Sequence, residues 1–444
     1  MVKLKKRKKI RKFRISPYFK IIFSFMLIIF LGSLLLMLPI SHKGDLEYID
    51  ALFVSTSASC VTGLNTLPNV VDYFTIFGKI ILVILMEIGG LSIITIATFA
   101  MVIFGRKLGI SSRMFLSSAL NQNNQRGILD LLKSIVIISF SIQGVFIIIN
   151  LIILLLSGKG YSFFTALGIS AFHTASSFNN AGFDIFGSNS MIDFSTNIAL
   201  NISTIILIVL GGLGFMVIID IIHLRENKHL SFHSKIVIIM TMLLIVIPTV
   251  VFRFTMNVTW LESLFTSVTA RTAGFTTIDF SEKMAETSAY PLFLILMFIG
   301  ASPSSTGGGV KTTTFFTILI TIVFAIVGKK PKVFKRNIAE ESIIKSFSLI
   351  LMSMFYVLLL ISGLKVFNPE ISMNALVFEA FSAFGTVGVS MGITSSLAFG
   401  SKILIIITMF IGRVGPLSFV SFWSKSFMQD NQNVQFIEEK IIIG

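Results

Sequence analysis

Four short polar runs interrupt an otherwise apolar chain: residues 55–64, 172–183, 267–275 and 381–389. At or near the end of each stands a glycine, Gly63, Gly182, Gly274 and Gly388, at separations of 119, 92 and 114 residues. Glycine tolerates positive φ, which lets consecutive main-chain carbonyls turn toward one line. Rings of such oxygens can replace the hydration shell of a dehydrated cation. No run holds two carboxylates or two histidines. Any ion selectivity must therefore come from main-chain oxygens and from small or amide side chains. The chemistry on offer is coordination of a bare monovalent cation. No acid, base and nucleophile are grouped for catalysis.

The elements that must position these runs repeat with them. Apolar stretches at residues 20–38 and 75–104 flank a short helix ending at Ser59. Stretches 134–156 and 197–222 flank a half-helix at 161–177, stretches 235–254 and 290–327 flank one at 258–270, and stretches 346–367 and 401–427 flank one at 372–384. A helix needs roughly 20 residues to cross a bilayer, so the half-helices must enter and return. Such re-entrant backbone is tolerated only where it is buried in protein or lines an aqueous cavity. Each half-helix also aims its partly negative carboxyl end at its glycine, which favours a cation there. A second signature follows each glycine by 24 to 29 residues: Ile88-Gly89-Gly90, Leu210-Gly211-Gly212, Ile299-Gly300-Ala301 and Ile411-Gly412-Arg413. The glycine pairs read most simply as sites of close helix packing. The predicted fold is an all-α membrane protein of four span–pore-helix–span repeats, eight transmembrane helices and four re-entrant half-helices, around a pseudo-fourfold pore. The repeats occupy residues 21–104, 134–222, 235–327 and 346–427. A basic amino end (1–20) and a tail (428–444) flank them.

Composition agrees: 54% of residues are hydrophobic and 13% charged, with mean hydropathy +0.90, where a soluble chain carries about a quarter charged. The formal net charge is +15, but its distribution argues against a nucleic-acid partner. Ten of the 36 Lys/Arg residues lie in the first 20 positions, and 16 more fall in segments that eight spans would place on the same side. That excess marks the cytoplasmic side, so both termini are expected inside a multi-pass plasma-membrane protein. The basic amino end suits anionic lipid headgroups. One cysteine excludes an internal disulfide. An inverted-repeat transporter is disfavoured because every unit enters from the same side. A membrane enzyme would need an acid or histidine cluster at depth, and Glu87, Asp220 and Arg413 do not form one.

The third unit is broken at residues 300–311. Gly300, Ala301, Ser302, Pro303, Ser304, Ser305, Thr306, Gly307, Gly308, Gly309, Val310 and Lys311 cannot continue a helix, because Pro303 breaks it and three glycines cannot sustain it. An unwound segment at membrane depth must line a cavity, which makes this loop a candidate gate. A phosphate-binding loop does not match, since Val310 separates Gly309 from Lys311. Arg413 lies at the matching level of unit four. It is expected either to hold the loop or to act as an electrostatic barrier, with Glu87 or loop oxygens as partners; plain structural pairing is the other reading. Arg271 is expected to turn behind its run toward Glu262 or another acid. Cys60 reads as a small backing residue. His173 reads as a packing residue, and His223, His229 and His233 as interface histidines, although His229 and His233 could share a helix face.

Cys60-Val61-Thr62-Gly63, Asn179-Asn180-Ala181-Gly182, Arg271-Thr272-Ala273-Gly274 and Gly385-Thr386-Val387-Gly388 resemble the four non-identical filter segments of the Trk/Ktr/HKT potassium-transport superfamily. The likeness covers nearly the whole chain, and its start directly at the first repeat is more like the Ktr membrane subunit. It implies potassium uptake, with K+ as the transported ion and no cofactor in this chain. Carbonyls of Val61, Thr62, Gly63, Asn180, Ala181, Gly182, Thr272, Ala273, Gly274, Thr386, Val387 and Gly388 would then bind the ion. The resemblance further implies an intramembrane gate loop at 300–311, an arginine at Arg413, a homodimer, and a cytosolic nucleotide-binding regulatory ring (KtrA-like). The alternative is a sodium-coupled or poorly selective monovalent cation transporter.

Overall fold

The computed structural model describes residues 17–67, 70–91, 95, 128–187, 190–280 and 282–415. The first unit contains α1 (Pro17–Leu36), the half-helix α2 (Tyr48–Ser59), the single turn α3 (Val70–Tyr73) and α4 (Ile76–Leu91). The second has α5 (Ile128–Leu156), the half-helix α6 (Phe163–Asn179), α7 (Ile198–Leu213), α8 (Phe215–Ile222) and the single turn α9 (Leu224–Asn227). The third has α10 (Phe232–Thr255), the half-helix α11 (Trp260–Thr269), α12 (Tyr290–Phe298) and α13 (Thr312–Ile326). A two-residue hairpin, β1 (Lys332–Val333) with β2 (Arg336–Asn337), leads into the fourth: α14 (Glu340–Phe367), the half-helix α15 (Met373–Gly385) and α16 (Phe399–Val414). The hairpin was not expected from the sequence. Phe334 and Lys335 form its turn at positive φ (47° and 62°), the handedness that matches strand twist.

Local chemistry sets where the half-helices start. Ser162 Oγ accepts the Thr165 amide, and Thr259 forms a reciprocal capping box with Glu262, which satisfies otherwise orphaned N–H groups. In α2, Asp50 suits the positive first turn and pairs with Lys402 of α16 at 2.7 Å. Small hydroxyls then tie these helices inward: Ser55 Oγ donates to the Ile29 carbonyl at 2.7 Å, and Ser267 Oγ to that of Ile245 at 2.8 Å. The half-helices are deeply buried. Around α15 an aromatic stack fills the core, with Phe293 and Phe378 rings 5.5 Å apart and Phe280 against both.

The outside is apolar. In α5, α10 and α14, between 28% and 33% of the most hydrophobic window is buried. The remainder, including Phe140, Ile148, Ile152, Leu351, Phe355 and Leu359, faces the hydrocarbon that serves as solvent. Among the described residues these three helices are long and apolar enough to cross a membrane, or four spans if α7 and α8 count as one. That is fewer than the eight read from the sequence, and the reasons are local. The stretches 92–94, 96–104 and 416–427 lie outside the described residues, as do the basic end 1–16 and the tail. The third unit's second span is split into α12 and α13, as expected. The second unit's is split as well, which was not. At Gly214 (φ +92°) the chain bends by 100° between α7 and α8. A side chain there would strike the main-chain oxygen of Pro303, and the Phe215 amide donates to the Ser304 carbonyl at 3.0 Å instead of continuing a helix.

The glycines of the second spans pack as the spacing suggests. A methyl group on Gly89, Gly211 or Gly412 would collide with the main-chain oxygen of Ser59, Phe178 or Phe384, respectively. These are equivalent carbonyls, each four residues before a run's glycine. Overfilling such contacts costs about 1–3 kcal/mol. Gly211→Val and Gly412→Val should therefore each lower the unfolding temperature in detergent, whereas Gly144→Val, with nothing within 4 Å, should not.

Candidate functional site

Every half-helix ends in the same backbone figure. Val61, Asn180, Thr272 and Thr386 adopt left-handed φ of 57°, 57°, 75° and 52°, and two residues later Gly63, Gly182, Gly274 and Gly388 adopt 97°, 71°, 85° and 94°. A non-glycine residue held there costs on the order of 1–3 kcal/mol and persists only where its surroundings over-determine it. Here the residue between is fastened back to the half-helix. The amides of Thr62, Ala181 and Val387 donate to the carbonyls of Ser57, Ser176 and Ser382, each at 2.8 Å, and that of Ala273 to Thr269 at 3.1 Å. The hydroxyls of Ser57 and Ser382 add a second brace, accepting the Gly63 and Gly388 amides at 3.0 and 3.1 Å. Among the described residues no hydrogen bond reaches the main-chain oxygens of Thr62, Ala181, Ala273 or Val387.

The four turns meet. A methyl group on Gly63 would lie 2.7 Å from the Ala181 oxygen and 2.9 Å from Gly182 Cα. On Gly182 it would lie 3.0 Å from the Ala273 oxygen and from Gly274 Cα, and on Gly274 it would lie 2.7 Å from the Val387 oxygen. On Gly388 it would strike the Thr62 oxygen, with Gly63 Cα at 3.0 Å. The order 63, 182, 274, 388 thus closes on itself, with main chain against main chain at every step. Unpaired carbonyl oxygens around a closed ring can coordinate a dehydrated cation and can do little else.

Behind the ring lies a polar shell that is partly legible in the sequence. Glu87 accepts from Asn179 Nδ2 at 2.9 Å and from Gln143 Nε2 at 3.3 Å. Gln143 was not singled out, although an amide inside the apolar α5 was the available signal. Turned to satisfy both of its ends, the Asn180 amide donates to the carbonyls of Ile208 and Ser177 at 3.2 and 3.1 Å and accepts the Thr272 hydroxyl at 3.2 Å. Cys60 is fully buried as the residue that ends α2. His173 packs between the rings of Phe186 and Phe275, with Thr204 Oγ1 2.8 Å away. Among the described residues no His, Cys, Asp or Glu cluster could hold a metal ion. Arg271 does not reach Glu262. Glu262 stands in the first turn of α11, Arg271 lies two residues past its last turn, and Glu262 is engaged by Thr259.

The segment 300–311 lies directly against the ring. Gly307 packs on the Thr272 side chain and Gly308 on that of Thr386, whose Oγ1 accepts the Gly308 amide at 3.1 Å. Each neighbouring unit holds part of it. Ser302 and Thr306 amides donate to the carbonyls of Gly212 (3.1 Å) and Gly211 (3.2 Å), and the Gly309 amide to that of Gly412 (3.3 Å). The ends are joined by Gly300 donating to the Val310 carbonyl at 2.9 Å, by the Thr312 amide donating to that of Ala301 at 3.3 Å, and by the Thr312 and Ser302 hydroxyls at 3.1 Å. Ser304 takes a left-handed φ of 56°, and the Ser305 hydroxyl is buried without a partner. Lys311 folds back so that Nζ donates to the Gly307 carbonyl at 2.7 Å. Arg413 donates to the carbonyls of Thr306, Gly89 and Gly90. Of its two expected partners it takes loop oxygens, together with unit one's main chain, and not Glu87.

A helical, multi-pass membrane protein organised on a ring of main-chain oxygens falls in the class of ion-transport proteins. The chain belongs to the TrkH family of cation transport proteins, which matches residues 2–261 and 234–434. It is 36% identical over 455 residues to the Ktr system potassium uptake protein B of Bacillus subtilis, covering 99% of this chain and all of that one. It is 35% identical to the potassium/sodium uptake protein NtpJ of Enterococcus hirae, covering 99% of both. Its fold is similar to the crystal structure of the potassium transporter TrkH from Vibrio parahaemolyticus, with TM-score 0.71 and 18% identity over 94% of this chain and 87% of that one. The family is one of cation transporters, not of enzymes.

A hydrogen bond to a charged group contributes about 1.5–3 kcal/mol, so loss of the Arg413 contacts should loosen the loop measurably. In Arg413→Gln, amide hydrogen exchange across residues 302–311 should speed up at least about tenfold, the equivalent of 1.4 kcal/mol, while α10 is unchanged.

Proposed function

We propose that this chain is the ion-translocating membrane subunit of a regulated potassium uptake system, with the ring of four turns as its selectivity filter and residues 300–311 as its gate. The single observation that carries this reading is the closed ring of positive-φ glycines, whose neighbouring carbonyls accept no hydrogen bond among the described residues. Potassium is chosen over other cations because relatives covering nearly the full length are named for its uptake. On this reading the oxygens of Val61, Thr62 and Gly63, and of the matching residues in the other three units, replace water around the ion. The repeats are those bounded at 21–104, 134–222, 235–327 and 346–427, giving eight spans and a pseudo-fourfold axis.

Both termini lie in the cytoplasm, in keeping with the Lys/Arg distribution, and the basic amino end rests on anionic lipid. The subunit works as a homodimer beneath which a cytosolic nucleotide-binding ring sets the gate. Relatives named as components of a Ktr system support an assembly of more than one part. The gate works by main-chain hydrogen bonds. The loop is held by Gly211, Gly212 and Gly412, by Arg413 and by its own Lys311, and a movement of any of these elements would draw it away from the ring.

The test is flux in reconstituted vesicles with potassium and sodium compared. Gly63→Ser, Gly182→Ser, Gly274→Ser and Gly388→Ser should each reduce potassium flux at least about tenfold, a barrier change of about 1.4 kcal/mol, or erase the preference for potassium. Deletion of residues 302–309 and Arg413→Ala should each raise basal uptake. Wild-type selectivity in all four glycine variants would dispose of the filter, and unchanged uptake in both gate variants would dispose of the gate.

A further inference from the structure

Arg271 is a buried cation that the proposed pathway does not use. It directly precedes the left-handed Thr272 and is 7% exposed, and its Nε is a buried donor with no acceptor. Among the described residues neither a carboxylate nor any other acceptor meets it. A guanidinium carries five N–H donors and does not give up its charge in proteins, so it cannot escape the cost of burial by losing a proton. An isolated buried charge is strongly unfavourable unless something of opposite sign accompanies it.

Beside it is a small, partly open pocket whose free centre admits roughly one water-sized sphere. Ile208, Ile245, Val268 and Ala301 supply apolar wall, and Arg271 and Thr241 supply polar groups. Thr241 is 5% exposed, and its hydroxyl also lacks any partner. The void thus has a charged donor and a hydroxyl that can donate, with room for a guest of one atom.

We propose that this cavity is an anion site for a halide, chloride under cellular conditions, held between the Arg271 guanidinium and the Thr241 hydroxyl. Polyatomic oxyanions need more room and more donors than the apolar walls leave. A water molecule would fit, but it would leave the charge uncompensated in a low-dielectric setting where opposite charges attract most strongly. One consequence rests on the filter reading given above: a bound halide cancels a positive field that would otherwise repel the cation in the ring. The site itself does not rest on that reading.

The test uses full-length purified protein in detergent, with chloride exchanged for gluconate at constant potassium and ionic strength, then titrated with bromide. The expected result is a saturable rise in unfolding temperature that sulfate does not reproduce, and a bromide anomalous peak between Arg271 and Thr241 in crystals. In Thr241→Val, which removes only an unpartnered hydroxyl, half-saturation should shift at least about threefold to higher bromide, as the loss of one weak hydrogen bond implies. In Arg271→Gln the saturable response should vanish. Should that variant not fold, the wild-type and Thr241→Val titrations decide alone. No saturable response in the wild type, water without a bromide peak, or a response intact in both variants would overturn the proposal. None of these readouts is flux, so a failed filter hypothesis is detected separately.

Discussion

Main-chain oxygens left without hydrogen-bond donors are what the rest of this structure exists to hold. Inside a membrane an unpaired carbonyl is expensive, and here such carbonyls are set in four turns whose non-glycine members are themselves strained. The compensation is local. Each turn's middle amide is spent on its own half-helix, and in two turns a serine hydroxyl takes the glycine amide too. Side-chain caps fix the starts of α6 and α11, and buried hydroxyls tie α2 and α11 to neighbouring spans. Where α4, α7 and α16 press on the last turns of α2, α6 and α15, glycine is the only residue that fits.

The third unit departs from this scheme. Gly300 does not meet the end of α11 as its counterparts meet theirs. It packs on Gly308 of its own loop. Freed from that duty, the segment reaches across to units two and four and, through Arg413, to unit one. Many of its hydrogen bonds therefore run to other units, so a shift between units acts on it directly. The bend at Gly214 belongs to the same arrangement, since α7 stops where Pro303 and Ser304 intrude.

Two arginines lie close to the ring, and the structure treats them differently. Arg413 spends its donors on three carbonyls from two units, whereas the Arg271 Nε is buried without an acceptor among the described residues. The difference is set by which main-chain oxygens the folded chain leaves within reach.

The sequence by itself determined where the half-helices lie to within a few residues, the break after Ile299 and the packing role of Gly89 and Gly211. Each of these is a local matter of cap chemistry, apolar length, proline and glycine. Only the tertiary structure decided that Val61, Asn180, Thr272 and Thr386 would be left-handed, that Glu87 would serve Asn179 and Gln143 while Arg413 went to the loop, and that Arg271 would lie nowhere near Glu262. Those outcomes depend on backbone strain and on side-chain reach between elements far apart in the chain, 56 residues for Glu87 with Gln143 and 92 for Glu87 with Asn179, and no local propensity encodes a contact at that separation.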